Sequence, residues 1–205
     1  MTAPDDAGRP APDRPPPRLR AARALARLVG GLAAVLVVVA VGAHLVGVRF
    51  NYTESLPRGL YLASGFDADG VSRGDLVAAC PTPEAARAVS KYLPRGRCPE
   101  GVIELAKHVV GLPGDTVQVD SLGVRVGGVP LPDSAPLFHD RMGQPIYPRL
   151  GTAVLGPDEY WLFSNRVPTS MDSRYVGPVA DVRSSLRPLL VEGGGPDDGA
   201  REEGP

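Results

Sequence analysis

The stretch NYTESLPRGLY, residues 51 to 61, places Thr53, Ser55 and Pro57 at alternate positions. A serine hydroxyl at its ordinary pKa is a poor nucleophile until a base stands within hydrogen-bond reach. Pro57 and Gly59 favour an extended or turning backbone over a helix, so Ser55 can be presented in a groove; an ordinary loop hydroxyl is the opposing reading. A base is on offer in VIELAKHVVG, residues 102 to 111. Period-two alternation puts Ile103, Leu105, Lys107 and Val109 on one face and Val102, Glu104, Ala106, His108 and Val110 on the other. The lysine is thereby aimed at apolar surroundings, and burial lowers a lysine pKa toward the range of a general base. Taken alone, such a lysine more readily snorkels out at a strand edge. Thr53 is placed to add its hydroxyl to the Ser55 backbone N–H in stabilising an oxyanion.

Other chemistries fit less well. A Ser-His-Asp triad would have to use His44, His108 or His139. The first lies inside an apolar run, the second points away from the Lys107 face, and the third sits in a Pro-rich loop; no G-x-S-x-G elbow occurs. Cys80 and Cys98 do not make a zinc site, which needs more ligands. In an oxidising compartment they form a disulfide that pins the segment between them, with two free structural cysteines as the alternative. That segment predicts a short helix with Thr82 as N-cap and Pro83 at the first helical position, ending near Leu93 and Pro94.

The elements that position these residues follow from composition and pattern. The 205 residues carry a net charge of -1 with Lys and Arg scattered, and no basic stripe that would neutralise nucleic-acid phosphates. Residues 1–27 are rich in Pro, Ala, Asp and Arg and read as a disordered cytoplasmic tail. From Leu28 to Val48 there is no Asp, Glu, Lys or Arg, and residues 28–50 read as a transmembrane signal anchor in the lipid bilayer. Arg18, Arg20, Arg23 and Arg27 precede that run and only Arg49 closely follows it, which places the N-terminus in the cytoplasm. A cleavable signal peptide is disfavoured by the length of the run and by the lack of a small-x-small cleavage site. Residues 51–190 then form an extracytoplasmic, mainly β domain, with strand-like runs GLYLAS, GDLVAAC, VIELAKHVVG, DTVQVD, GVRVGGVPL and EYWLFS. Residues 191–205 read as a disordered acidic tail.

Three boxes in order behind one anchor, TESLPRGLY, ELAKHVVGLPGD and SMDSRYVGP, resemble the type I signal peptidases. The N-x-T-x-S-x-P-x-G-L-Y pattern is most similar to the conjugative-transfer branch, the TraF-type peptidases, over roughly residues 50 to 180. The resemblance implies a bent antiparallel-sheet catalytic domain that needs no metal or cofactor. It implies Ser55 as nucleophile, Lys107 as general base, and Thr53 with the Ser55 N–H as oxyanion hole. It also implies that Ser170 orients the lysine amine and that Asp172 and Arg174 form a structural pair. The opposing reading, an exposed ion pair, would contribute little to stability, so the two are read as supports and not as chemistry. The implied partner is a membrane-anchored preprotein or prepilin cleaved after small residues, with water or, in cyclisation, an amine accepting the acyl group. One departure is SNRVPT, residues 164 to 169, where signal peptidases carry a Gly-Asp-Asn-Arg run, which leaves substrate choice more open than catalysis. Two other readings compete. Self-cleaving repressors share the Ser-Lys dyad but are cytoplasmic, against the anchor; a non-catalytic membrane-anchored β module would bind secreted or pilus proteins without needing Ser55.

Overall fold

A computed structural model describes residues 17–193. It contains two compact units, Met1–Leu45 and Val46–Pro205. Among the described residues the first is a helix, α1 (Pro17–Leu45). Proline at the first helical position gives up no intrahelical hydrogen bond, and the Arg, Ala and Leu that follow are good helix formers. The helix therefore begins inside the stretch expected as a disordered tail; residues 1–16 of that tail lie outside the described residues. Its part from Ala21 to Leu45 is long and apolar enough to cross a membrane, with mean hydropathy 2.5. Val29, Leu32, Val35, Val37, Val38 and Val41 are exposed around its circumference, so the helix is apolar on every side. The anchor expected through residue 50 ends early, because α1 stops at Leu45 and Val48 opens a strand.

The second unit is mainly β. In chain order its strands are β1 (Val48–Asn51), β2 (Gly59–Ser64), β3 (Leu76–Cys80), β4 (Leu105–Gly111), β5 (Thr116–Val119), β6 (Val124–Val126), β7 (Val129–Pro130), β8 (Gly151–Val154), β9 (Trp161–Phe163) and β10 (Asp181–Val191). They form a six-stranded sheet in the order β1-β2-β10-β3-β4-β9 and a four-stranded sheet in the order β7-β6-β5-β8. Every pairing is antiparallel. The six strand-like runs read from the sequence fall on β2, β3, β4, β5, the β6–β7 hairpin and β9. Three strands were not expected, among them β10, which lies between β2 and β3 and bonds to both. Its sequence DVRSSLRPLLV has polar residues on both faces and a proline, and the register shifts between Pro188 and Leu190, where the missing N–H breaks the ladder.

Period-two alternation in β4 is realised: Leu105, Lys107, Val109 and Gly111 are buried and the residues between them half-buried. Leu105 and Val109 join Val77, Leu162, Tyr160, Tyr175 and Val179 in the main core. A second core, Val117, Val119, Val124, Val126 and Leu155, belongs to the four-stranded sheet, and Trp161 of β9 packs into it. Two short helices complete the unit, α2 (Pro83–Val89) and α3 (Ser173–Val176). As expected, the Thr82 hydroxyl caps α2, accepting from the Ala85 N–H at 3.3 Å.

Cys80 and Cys98 are joined, with their Cα atoms 5.4 Å apart. They pack with Ala86 and Val102 in a small core of their own. The bridge ties the end of β3 to the turn that leads into β4, where the Cys98 N–H donates to the Val102 carbonyl at 3.0 Å. The loop it closes spans a sequence separation of 18. Replacing both cysteines by serine is expected to lower the unfolding free energy by about 3 kcal/mol, read as a lower urea midpoint. An unchanged midpoint contradicts a stabilising role for the bridge.

Candidate active site

The connection between β1 and β2 is built around one side chain. Asn51, the last residue of β1, faces Gly59, the first of β2. Its Nδ2 donates to the carbonyls of Thr53 at 3.2 Å, Leu56 at 3.2 Å and Pro57 at 3.1 Å, and its Oδ1 accepts from the Thr53 N–H at 3.1 Å. The Tyr61 hydroxyl adds a 2.7 Å bond to the Pro57 carbonyl. Gly59 has φ 148°, and a Cβ there would collide with the Leu190 carbonyl of β10. The loop is thus closed from inside and at its base, and Ser55 is carried at its tip, 9% exposed.

The same loop is fastened to the sheet from the opposite direction. β9 pairs with β4, and Ser164, the residue after β9, is buried and donates its hydroxyl to the Ser55 carbonyl. Lys107, the third residue of β4, is 5% exposed, and its Nζ donates to Ser55 Oγ at 2.9 Å and to the Ala106 carbonyl at 3.1 Å. Burial pulls the Lys107 amine down from 10.5 to about 8; Asp172 pushes the other way and Arg174 lowers it further. A deprotonated amine in this position can take the Ser55 proton without moving, which is the geometry of a general base and its nucleophile.

Asp172 and Arg174, read from the sequence as a supporting pair, are both fully buried, so the exposed alternative does not hold. The guanidinium grips the carboxylate in a fork, Nε to Oδ1 at 2.8 Å and Nη2 to Oδ2 at 2.9 Å. Arg174 also donates to the Ala135 carbonyl at 3.2 Å and lies 4.9 Å from the centre of the Phe163 ring. Asp172 accepts the Arg174 N–H at the start of α3 and the Ser164 N–H at 3.4 Å. Removing either partner leaves an uncompensated buried charge, so the pair supports the fold where an exposed pair would not.

Thr53 and Ser170 occupy different states. The Thr53 hydroxyl lies 3.4 Å from Ser55 Oγ and donates at 2.6 Å to Asn51 Oδ1. Ser170 is buried, yet its hydroxyl makes no hydrogen bond; the bonds of the lysine amine go to Ser55 and to its own strand's Ala106 carbonyl, in place of the expected Ser170 contact. The Ser170 backbone is used, its carbonyl accepting from Arg174 Nη2 at 3.4 Å. His108 turns from the site as its strand position required, with Nδ1 2.8 Å from the Gly74 carbonyl. Asn51 and Ser164 were not picked out as site residues. An asparagine at a strand end reads as turn chemistry, and nothing local signals that a serine will bond a carbonyl 109 residues away.

Comparison with known proteins places this geometry in context. The family model described as signal peptidase, peptidase S26, matches residues 21–184. The chain is 35% identical over 171 residues to a plasmid transfer protein TraF of Escherichia coli, covering 80% of this chain and 93% of the relative. It is 36% identical over 179 residues to a conjugal transfer protein TraF of Agrobacterium tumefaciens, covering 84% and 98%. Among solved structures, a signal peptidase I from Enterococcus faecalis matches at 22% identity and TM-score 0.34, covering 60% of this chain and 99% of that one.

The buried amine has a stability signature. Its folded-state pKa of about 8 lies below the ordinary 10.5, so between those values the unfolded chain binds more protons and folded stability rises with pH. Below about pH 8 both states are protonated and the cost of burying the ammonium is fully present. Relative to Lys107→Met, the urea midpoint of the wild-type protein should climb between pH 8 and 10. Parallel midpoints across that window contradict the buried amine.

Proposed function

Because the chain belongs to the S26 signal peptidase family, we propose that it is a membrane-anchored serine endopeptidase using Ser55 as nucleophile and Lys107 as general base. The observation that carries this reading is the 2.9 Å hydrogen bond between Lys107 Nζ and Ser55 Oγ, made by an amine that is almost wholly buried. Deprotonated Lys107 takes the Ser55 proton as Oγ bonds to the substrate carbonyl carbon. The resulting oxyanion is met by the Ser55 N–H and the Thr53 hydroxyl. Collapse expels the amine of the downstream segment, which leaves with the proton from Lys107, and the upstream segment stays esterified to Ser55. Lys107 then deprotonates a water that attacks the ester, and Ser55 is regenerated.

The substrate class follows from family and anchor together. One apolar helix and the family make this a membrane-anchored protein acting on membrane-associated preproteins. The arginines before the apolar run favour a cytoplasmic N-terminus, which sets the β unit at the outer face of the membrane. Only the residues from Val46 to Glu54 separate α1 from Ser55, so covalent reach keeps the nucleophile within about 36 Å of the helix end. Peptide bonds that leave the bilayer beside a signal sequence or a pilin-type transmembrane segment lie in that range. The relatives named as conjugal and plasmid transfer proteins favour a pilin-type precursor of a transfer apparatus.

Cleavage of a membrane-anchored reporter with an Ala-x-Ala junction tests the reading in detergent or liposomes. Ser55→Ala and Lys107→Met, each still folded, should lose turnover by ~10³-fold or more. A non-catalytic β module that only binds secreted or pilus proteins would keep its binding in Ser55→Ala and turn over nothing in any form. Variants that cleave as fast as the intact protein sink the Ser-Lys assignment.

A further inference from the structure

Asn51 makes more hydrogen bonds than any other side chain in the nucleophile loop, and the peptidase reading gives it no role. Its amide orientation is settled by its surroundings. The three groups around Nδ2 are the Thr53, Leu56 and Pro57 carbonyls, which only accept, so the nitrogen must face them and the oxygen must face Thr53. Asn51 Oδ1 only accepts, so the 2.6 Å contact between it and Thr53 Oγ1 uses the single hydroxyl proton of Thr53. What Thr53 turns toward Ser55 Oγ, 3.4 Å away, is a lone pair. A hydroxyl with one proton cannot serve Asn51 and a developing oxyanion at once.

The geometry points to Asn51 as a positioning residue that acts through Thr53, holding the hydroxyl proton in the resting state and releasing it to the oxyanion as Ser55 is acylated. This rests on the peptidase reading. No covalent bond of Thr53 changes: the O–H stays intact, and its acceptor switches from Asn51 Oδ1 to the substrate oxygen. That oxygen gains its charge as Ser55 Oγ bonds to the carbonyl carbon and the Ser55 proton passes to Lys107. A negative oxygen is a stronger acceptor than a neutral amide, so the exchange runs toward the transition state. Asn51 Oδ1 is not orphaned by it, because the Thr53 N–H still donates to it at 3.1 Å. The three bonds from Nδ2 also persist, so the loop keeps its shape while one rotor turns. The contact to the oxyanion is made only in the transition state, and what Asn51 supplies is the fixed position of the rotor from which it is made.

A double-mutant cycle on the full-length protein, with the Ala-x-Ala reporter, reads this directly. Thr53→Val should lower kcat by ~10²-fold to 10³-fold. Asn51→Ala, which leaves the hydroxyl without its resting acceptor and its orientation, should lower kcat by ~10-fold or more with KM changed less than ~3-fold. The double variant should be slowed clearly less than the product of the two single losses, because the part of the Asn51 loss that acts through the hydroxyl disappears with the hydroxyl, while the part that braces the loop through Nδ2 remains. Losses that multiply in the double variant mean that Asn51 only braces the loop, and overturn the proposal. If Asn51→Ala does not fold, Asn51→Ser, which leaves room for a bridging water, runs the same cycle with the same two outcomes. A wild-type protein no more active than Ser55→Ala overturns the peptidase reading and this inference with it. An active wild type with a multiplicative cycle overturns this inference alone.

Discussion

An ammonium ion inside a β sheet has lost the water that stabilises its charge, and the rest of the unit is arranged around that loss at Lys107. The third position of β4 turns the side chain into the face that also buries Leu105 and Val109. Desolvation then pulls the amine to about 8, where a useful fraction is free base near neutral pH. The carboxylate of Asp172 alone would undo this by stabilising the ammonium. Arg174, locked onto that carboxylate and equally buried, opposes it, so the pair presents nearly compensated charge to the amine and burial remains the dominant influence. Among 22 lysines and arginines the chain has only two lysines, Lys91 and Lys107. Arginine cannot give up its proton in a protein, so a side chain that is to lose its charge here has to be a lysine.

A base is useful only if the hydroxyl is brought to it and kept there. Ser55 arrives on a loop between two strands at the far edge of the sheet from β9, yet it is β9's following residue that fastens it. The six-stranded order puts β10, β3 and β4 between these points, so the Ser55–Lys107 distance depends on the register of several strands. The disulfide and the α3 turn secure two of the approaches: one holds the entry to β4 against β3, and the other seats Asp172 and Arg174. Asn51, at the end of β1, sets the inner shape of the loop, and so Ser55 and Lys107 are held by separate sets of bonds that meet at one contact.

How much of this is legible in the sequence depends on whether a residue's role is local. Lys107 is legible because alternation over β4 announces which face is buried, and the structure follows it residue by residue. Ser55 is legible because Pro57 and Gly59 deny it a helix. The helix α2 and its Thr82 cap were written in a few adjacent residues. β10 was not legible, since a strand bonded on both sides but only half-buried need show no alternation, and its burial follows none. The burial of Asp172 and Arg174 was not legible either. A charged pair two residues apart looks exposed until Phe163, Ala135 and Ser164 close around it from elsewhere in the chain. Ser170 shows the opposite failure: the expected contact was plausible by position, but the amine found a nearer acceptor in the carbonyl of Ala106.

The titration of Lys107 can be followed directly, because the chain has only one other lysine. With lysine labelled at 13Cε, an NMR pH titration of the full-length protein in detergent should show two lysine signals, one for each residue. Lys91→Arg removes one signal and assigns the other. Lys91, exposed and with its amine beside the Tyr92 side chain, should titrate above the ordinary lysine value, whereas Lys107 should titrate near 8. A Lys107 signal that stays protonated up to the ordinary range near 10.5 would contradict the account, because the amine beside Ser55 would then be a cation with no lone pair to offer.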